Sequence, residues 1–282
     1  MKHNACFRYK QWMIAIVLAF SCVMSARPSM AGEIDIYGAI ESYTWKEFGD
    51  NDQRFLEESG ALIGVGFAYW REFGNHVTVK PAAEIFGGTV DYDGQACNSL
   101  TGVCFPSTTK VDYFGVKLAG DAGRRFRPGE NSFVEPFGGL GVRIWERNIR
   151  DGKAANGATT SGYVEEWITL HARLGVRGGQ DLAPGKQLIA EAGVKLPLYN
   201  ENTAYLSRKG LGPDVTMHPG KTPSFFAELG IKLNRFKGSL FYEGLRFSKS
   251  DEVTTTDGRY IYSSWQPRSA ADIYGVRLGA SF

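Results

Sequence analysis

The chain has 282 residues, 43% hydrophobic, 22% charged and 13% aromatic, with a formal net charge of +2. No apolar run reaches the about 18–20 residues that a bilayer-spanning helix needs, which excludes a helical membrane protein. Plentiful aromatics and a low net charge exclude a disordered chain, and 35 glycines beside 13 tyrosines and 18 phenylalanines point to a turn-rich all-β fold.

In chain order, the first element is an export signal over 1–31. Lys2, Arg8 and Lys10 form a basic start, 12–24 is apolar, and Ser29-Met30-Ala31 places small residues at −3 and −1 of a cleavage site. A lipoprotein reading through Cys22 fits less well, because Phe20 stands where a small residue is expected. Cleavage after Ala31 removes four bases and no acid, so +2 becomes −2 over the remaining domain, 32–282. A nucleic-acid partner is thereby excluded. Cys6 and Cys22 leave with the signal. Cys97 and Cys104, close together in an exported Gly/Ser/Thr-rich stretch, are expected to form a local disulfide.

From residue 34 onward, the sequence alternates with period two in ten segments: 34–45, 60–70, 76–91, 110–122, 133–149, 163–178, 186–199, 223–233, 239–248 and 272–282. In the last, Tyr274, Val276, Leu278, Ala280 and Phe282 share one face, while Gly275, Arg277, Gly279 and Ser281 share the other. An apolar face set against a polar, glycine-rich one suits a strand between lipid and a lumen. Connections alternate between short (71–75, 123–132, 179–185, 234–238) and long (46–59, 92–109, 150–162, 200–222, 249–267).

With its export signal, alternating loop lengths and a terminal alternation ending in Phe282, the chain resembles the Gram-negative outer-membrane β-barrel class. The resemblance covers 32–282 and concerns architecture, not one functional family. It implies a transmembrane antiparallel up-and-down barrel of about ten strands, with eight or twelve as alternatives, in the cell outer membrane. It also implies Phe282 as an assembly signal, barrel-assembly machinery and periplasmic chaperones during biogenesis, and outer-membrane lipids and lipopolysaccharide as surroundings. The rival fold, a soluble periplasmic β-sandwich, would not need a continuously lipophilic face on each strand.

The inward phase carries charge. A motif recurs as Gly115-Val-Lys-Leu, Gly141-Val-Arg-Ile, Gly193-Val-Lys-Leu, Gly230-Ile-Lys-Leu and Gly275-Val-Arg-Leu, in which glycine is expected to make room for a neighbouring strand's cation. Antiparallel partners share a constant sum of residue numbers, so opposite charges suggest registers. Glu191 with Lys232 and Lys195 with Glu228 share one sum; Glu135 with Arg173 and Arg143 with Glu165 share another. Lys80 with Asp121 and Glu84 with Lys117 share a third, and Cys97 with Cys104 has that same sum. Ten strands crossed by such pairs imply a plugged or very narrow lumen, since wide channels need about 16 strands.

Catalytic chemistry is sparsely represented. After export only His76, His171 and His218 remain, and only His218 has an acid nearby on an external loop, Asp214. No serine lies on a clear pattern with His171, no ligand spacing suggests a metal, and no cofactor is expected. Trp45, Trp145 and Trp167 fall inward near the external mouth, as packing under the loops or as a vestibule for a sugar or apolar ligand. The expected function is a non-catalytic surface or envelope role through external loops, with an unidentified surface ligand as the candidate partner. The alternative is a narrow porin-like channel for small polar solutes, with a surface hydrolase ranked below both.

Overall fold

The computed structural model describes residues 32–97 and 103–282, so the expected export signal lies outside it. Ten long strands follow one another: β1 (Glu33–Phe48), β2 (Arg54–Glu72), β3 (Val77–Cys97), β4 (Cys104–Arg124), β5 (Ser132–Ile149), β6 (Val164–Ala183), β7 (Lys186–Tyr205), β8 (Ser224–Leu233), β9 (Phe236–Ser248) and β10 (Arg268–Ser281). Each pairs antiparallel with the next, and β10 returns to β1. The wall is therefore closed. Ile34 and Phe282 exchange backbone hydrogen bonds of 3.0 and 2.9 Å at the junction, leaving no free edge there.

Alternation along each strand sorts the side chains. Ile36, Ile40, Ile63, Val65, Leu140, Leu174, Leu229, Leu240 and Leu278 lie exposed on the outside. An apolar belt around a whole barrel is a face built for hydrocarbon rather than water. Higher up, the exterior turns polar, with Lys46 near Glu57 at 3.8 Å and Arg150 bound to Asp112 at 2.7 Å. β3 and β4 each have 21 residues, about 70 Å of strand against an apolar band of about 25 Å. The wall thus stands well clear of the membrane on its external side.

That extension corrects two expected loops. The 46–59 connection shrinks to 49–53, and β3 and β4 stay paired up to Cys97 and Cys104. Their outward residues there are polar, so the stretch carries no lipophilic face to mark it as strand. The longer external connections hold short ribbons: 152–154 with 159–160, and Val253–Thr256 with Ile261–Ser264. On the periplasmic side, tight turns at Pro184-Gly185 and Asn234-Arg235 place Gly185 (φ 71°) and Asn234 (φ 54°) in the left-handed region, which glycine and asparagine tolerate.

Candidate functional site in the barrel lumen

Among the motif glycines, Gly115, Gly193 and Gly275 make room for phenyl rings rather than for cations. Gly141 lies against the His171 ring and Gly230 against Ser239; Gly175, outside the motif, also faces a phenyl ring. Phe86 sits opposite Gly115, Phe137 opposite Gly175, Phe226 opposite Gly193 and Phe241 opposite Gly275. A Cβ at any of these glycines would fall 2.4–2.7 Å from the facing ring. Each ring then carries a guanidinium: Arg143 4.4 Å above Phe86, Arg177 4.0 Å above Phe137, Arg173 4.3 Å above Phe226 and Arg277 3.9 Å above Phe241. The repeated unit is glycine, ring and arginine across neighbouring strands, and it holds the long cations in the lumen.

Carboxylates bind those cations in two tiers at the level of the belt. In the periplasmic tier, Asp121 accepts from Arg173 and Arg177 at 3.0 Å each. Glu191 meets Lys80 at 2.9 Å and Arg173 at 3.2 Å. Glu135 meets Arg125 at 3.2 Å and Arg177 at 3.3 Å. In the tier above, Lys117 lies 2.5 Å from Glu41 and 2.6 Å from Glu84. Lys195 binds Glu243 at 2.8 Å, and Arg277 binds Glu228 at 2.6 Å. Cavities of about 160 Å³ and 270 Å³ remain, both lined by Asp35, Lys80, Glu191, Glu228 and Lys237. The lower one reaches the periplasmic strand ends at Glu33 and Trp70.

The external half is packed with aromatic rings. Trp145 and Trp167 stack at 5.4 Å, Trp45 meets Trp167 edge-on at 5.2 Å, and Phe247 packs 5.1 Å from Trp167. All three tryptophans are at most 2% exposed. Buried beside them, Arg147 faces three carboxylates: Glu165 at 2.8 Å, Glu47 at 3.3 Å and a closer Glu58. The Trp45 and Trp167 indoles donate to Glu47 and Glu165 at 2.9 and 3.0 Å, and the Tyr113 hydroxyl donates to Glu58. Burial pushes the Glu47 carboxyl up to about 7; Arg147 opposes the rise and Glu165 adds to it.

Several sequence-expected partners do not meet. Glu191 stands opposite Glu228, and Lys195 opposite Ser224, so the two expected β7–β8 ion pairs are absent. Lys232 instead binds Glu33 at 2.6 Å. Across β5 and β6, Glu135 faces Arg177 rather than Arg173, and Arg143 faces Thr169 rather than Glu165. Both errors are shifts of four residues. An even shift keeps every side chain on its face and changes only its partner. The physical reason is reach: long lumenal side chains choose partners across the barrel, so direct opposition does not select the register. On β3 and β4, Lys80 faces Asp121, Glu84 faces Lys117, and Cys97 is disulfide-bonded to Cys104.

Glu41, Glu47, Glu58, Arg147, Arg177, Glu243 and Arg277 were missing from the expected ion pairs. Each lies in the inward phase of its strand, which is the signal that could have found it. Among the histidines, His218 bonds to the Asn200 carbonyl, while Asp214 accepts from the Ser207 amide, so they form no dyad. His76 pairs with Glu72 in a periplasmic turn, and His171 is buried in the lumen.

Neither a family model nor a curated protein matches the chain. Among solved structures it is similar to the outer membrane protease OmpT of Escherichia coli, with a TM-score of 0.55 at 10% identity, over 89% of this chain and 95% of that one. The fold is that of an outer-membrane β-barrel. More distant likenesses are Ail, the attachment invasion locus protein of Yersinia pestis (TM-score 0.33, 11% identity, 90% and 100% coverage), and an outer membrane channel of Pseudomonas putida F1 (0.40, 11%, 91% and 97%). At 10% identity, the likeness to OmpT concerns the fold alone and assigns no activity to this barrel.

Proposed function

We propose that the protein is an exported, non-catalytic barrel of the Gram-negative outer membrane, closed to solutes and acting at the cell surface through its external loops. One observation carries this: the Trp45, Trp145, Trp167 and Phe247 layer, with Arg147 and its three carboxylates, fills the external half of the lumen. On this reading, lipid and lipopolysaccharide surround the belt, and the loops meet an extracellular partner.

Planar-bilayer recording of the refolded protein tests the closed state, and no steady conductance is expected. A large steady conductance would support the narrow-channel reading instead. That reading is favoured by the two cavities of about 160 and 270 Å³, which keep the periplasmic half hollow.

A further inference from the structure

The β7–β8 ladder is interrupted partway up the wall. These strands pair from Lys186 and Leu233 up to Lys195 and Ser224, and stop there. Just above, Pro197 has no N–H to give, and β7 bulges between Pro197 and Tyr199. Higher still, the 206–223 loop completes the wall, with Val215–Met217 on β7 and Gly220–Lys221 on β9. Between these levels, side chains pin the strand to the loop. Asn200 Nδ2 donates to the carbonyls of Pro219 (3.4 Å) and Gly220 (3.3 Å), and His218 Nδ1 donates to the Asn200 carbonyl (3.3 Å). All three bonds are longer than the usual N–H···O range. The seam sits at the upper edge of the belt, with Leu196, Leu198 and Phe225 exposed outside it.

Directly behind the seam is a row of unmet polar groups. Asn200 faces Thr169, Asn202 faces Trp167, and Pro197 faces His171. Asn200, Asn202 and Thr169 are at most 4% exposed. Even so, Oδ1 of both asparagines and Oγ1 of Thr169 lack a hydrogen-bond partner, and the His171 ring makes no hydrogen bond among the described residues. Buried polar atoms are rarely left in this state. The two asparagine oxygens accept, the Thr169 hydroxyl and the His171 ring can do either, and Nε of Arg143, opposite Thr169, is an unmet donor, so the row calls for groups that both donate and accept. The nearby cations, Arg143 and Lys195, are already bound to Glu243, so neither a cationic nor an anionic group finds a free counter-charge. Neutral hydroxyls fit.

We propose that the β7–β8 seam is a lateral access from the outer leaflet to a headgroup site formed by Asn200, Asn202, Thr169 and His171. It takes a neutral, polyhydroxylated amphiphile, whose chain stays outside along Leu196, Leu198 and Phe225. The site does not depend on whether the lumen conducts.

The test uses the full barrel in phosphatidylcholine nanodiscs and an octyl β-D-glucoside carrying a diazirine on its first chain carbon. After photolysis, mass spectrometry should place adducts on inward residues of 167–173 and 200–202. Octyl probes with trimethylammonium or phosphate heads should label these positions at least tenfold less. Thr169→Val should lower inward labelling at least threefold while labelling at Leu198 and Phe225 persists. Bridging Tyr199→Cys to His218→Cys with a short bis-maleimide should lower inward labelling at least fivefold, relative to Tyr199→Cys capped alone. The proposal is overturned by adducts confined to outward residues, by equal labelling from all three headgroups, or by unchanged inward labelling in the bridged barrel. Heat-modifiable migration verifies that each variant is folded.

Discussion

At the scale of single residues, glycine and one glutamate carry the sharpest consequences. Gly275 has no side chain because the Phe241 ring occupies that space, and Arg277 rests on the same ring. Gly275→Val would put its Cβ 2.4 Å from the ring and 2.7 Å from the Ile40 carbonyl. We expect destabilisation of about 1–3 kcal/mol, the usual range for overpacking. Urea midpoints by tryptophan fluorescence would show it, with partial recovery when Phe241→Ala is added. Glu47 acts differently. Its carboxyl, well above the belt, is raised to about 7 by burial, so its protonated form is favoured in the folded barrel. That contribution is complete below the ordinary glutamate range and is lost as pH rises through about 7. Wild type should therefore be less stable at pH 8 than at pH 5, and Glu47→Gln should flatten that difference. An equal pH dependence in the variant would place the titration elsewhere.

At the scale of strands, β10 shows what the sequence makes legible. Its alternation alone sorts Tyr274, Val276 and Leu278 outward and Arg277 inward, as the structure has them. Phe282 is 67% exposed on the outward face, and its backbone closes the barrel against Ile34. Deleting it removes both the last apolar outward side chain and that closure. We expect less heat-modifiable protein in the outer membrane and more in the periplasm on fractionation; unchanged insertion would show that the residue is dispensable for assembly. Registers were less legible than strands. β7 begins and β8 ends at tight periplasmic turns, Pro184-Gly185 and Asn234-Arg235, and Lys186 stands against Leu233. Charge complementarity pointed four residues away, because Glu191 finds Lys80 and Arg173 rather than Lys232. The extensions of β1–β4 escaped notice for a related reason: above the belt, both faces of a strand have lost the contrast that marks it.

For the whole molecule, the question is which layer closes the lumen. The sequence placed the closure in lumenal ion pairs of three hairpins, β3–β4, β5–β6 and β7–β8. The structure instead leaves space among the charges at belt level and buries the three tryptophans above them to 2% exposure or less. Replacing Lys195 and Lys232 by alanine should therefore leave the barrel closed, since the aromatic layer above is untouched. Trp145→Ala with Trp167→Ala removes two stacked indoles and the Glu165 donor together. Small steady openings should then appear in planar bilayers. The charged groups left around the gap are Arg143 and Arg147 with the three carboxylates Glu47, Glu58 and Glu165, still an excess of acid over base. The openings should prefer cations, and reversal potentials in a KCl gradient would read that preference. Acidification should weaken it as the three carboxylates take up protons. If the lysine pair opened the barrel and the tryptophan pair did not, closure would have to be assigned to the charged tiers at belt level.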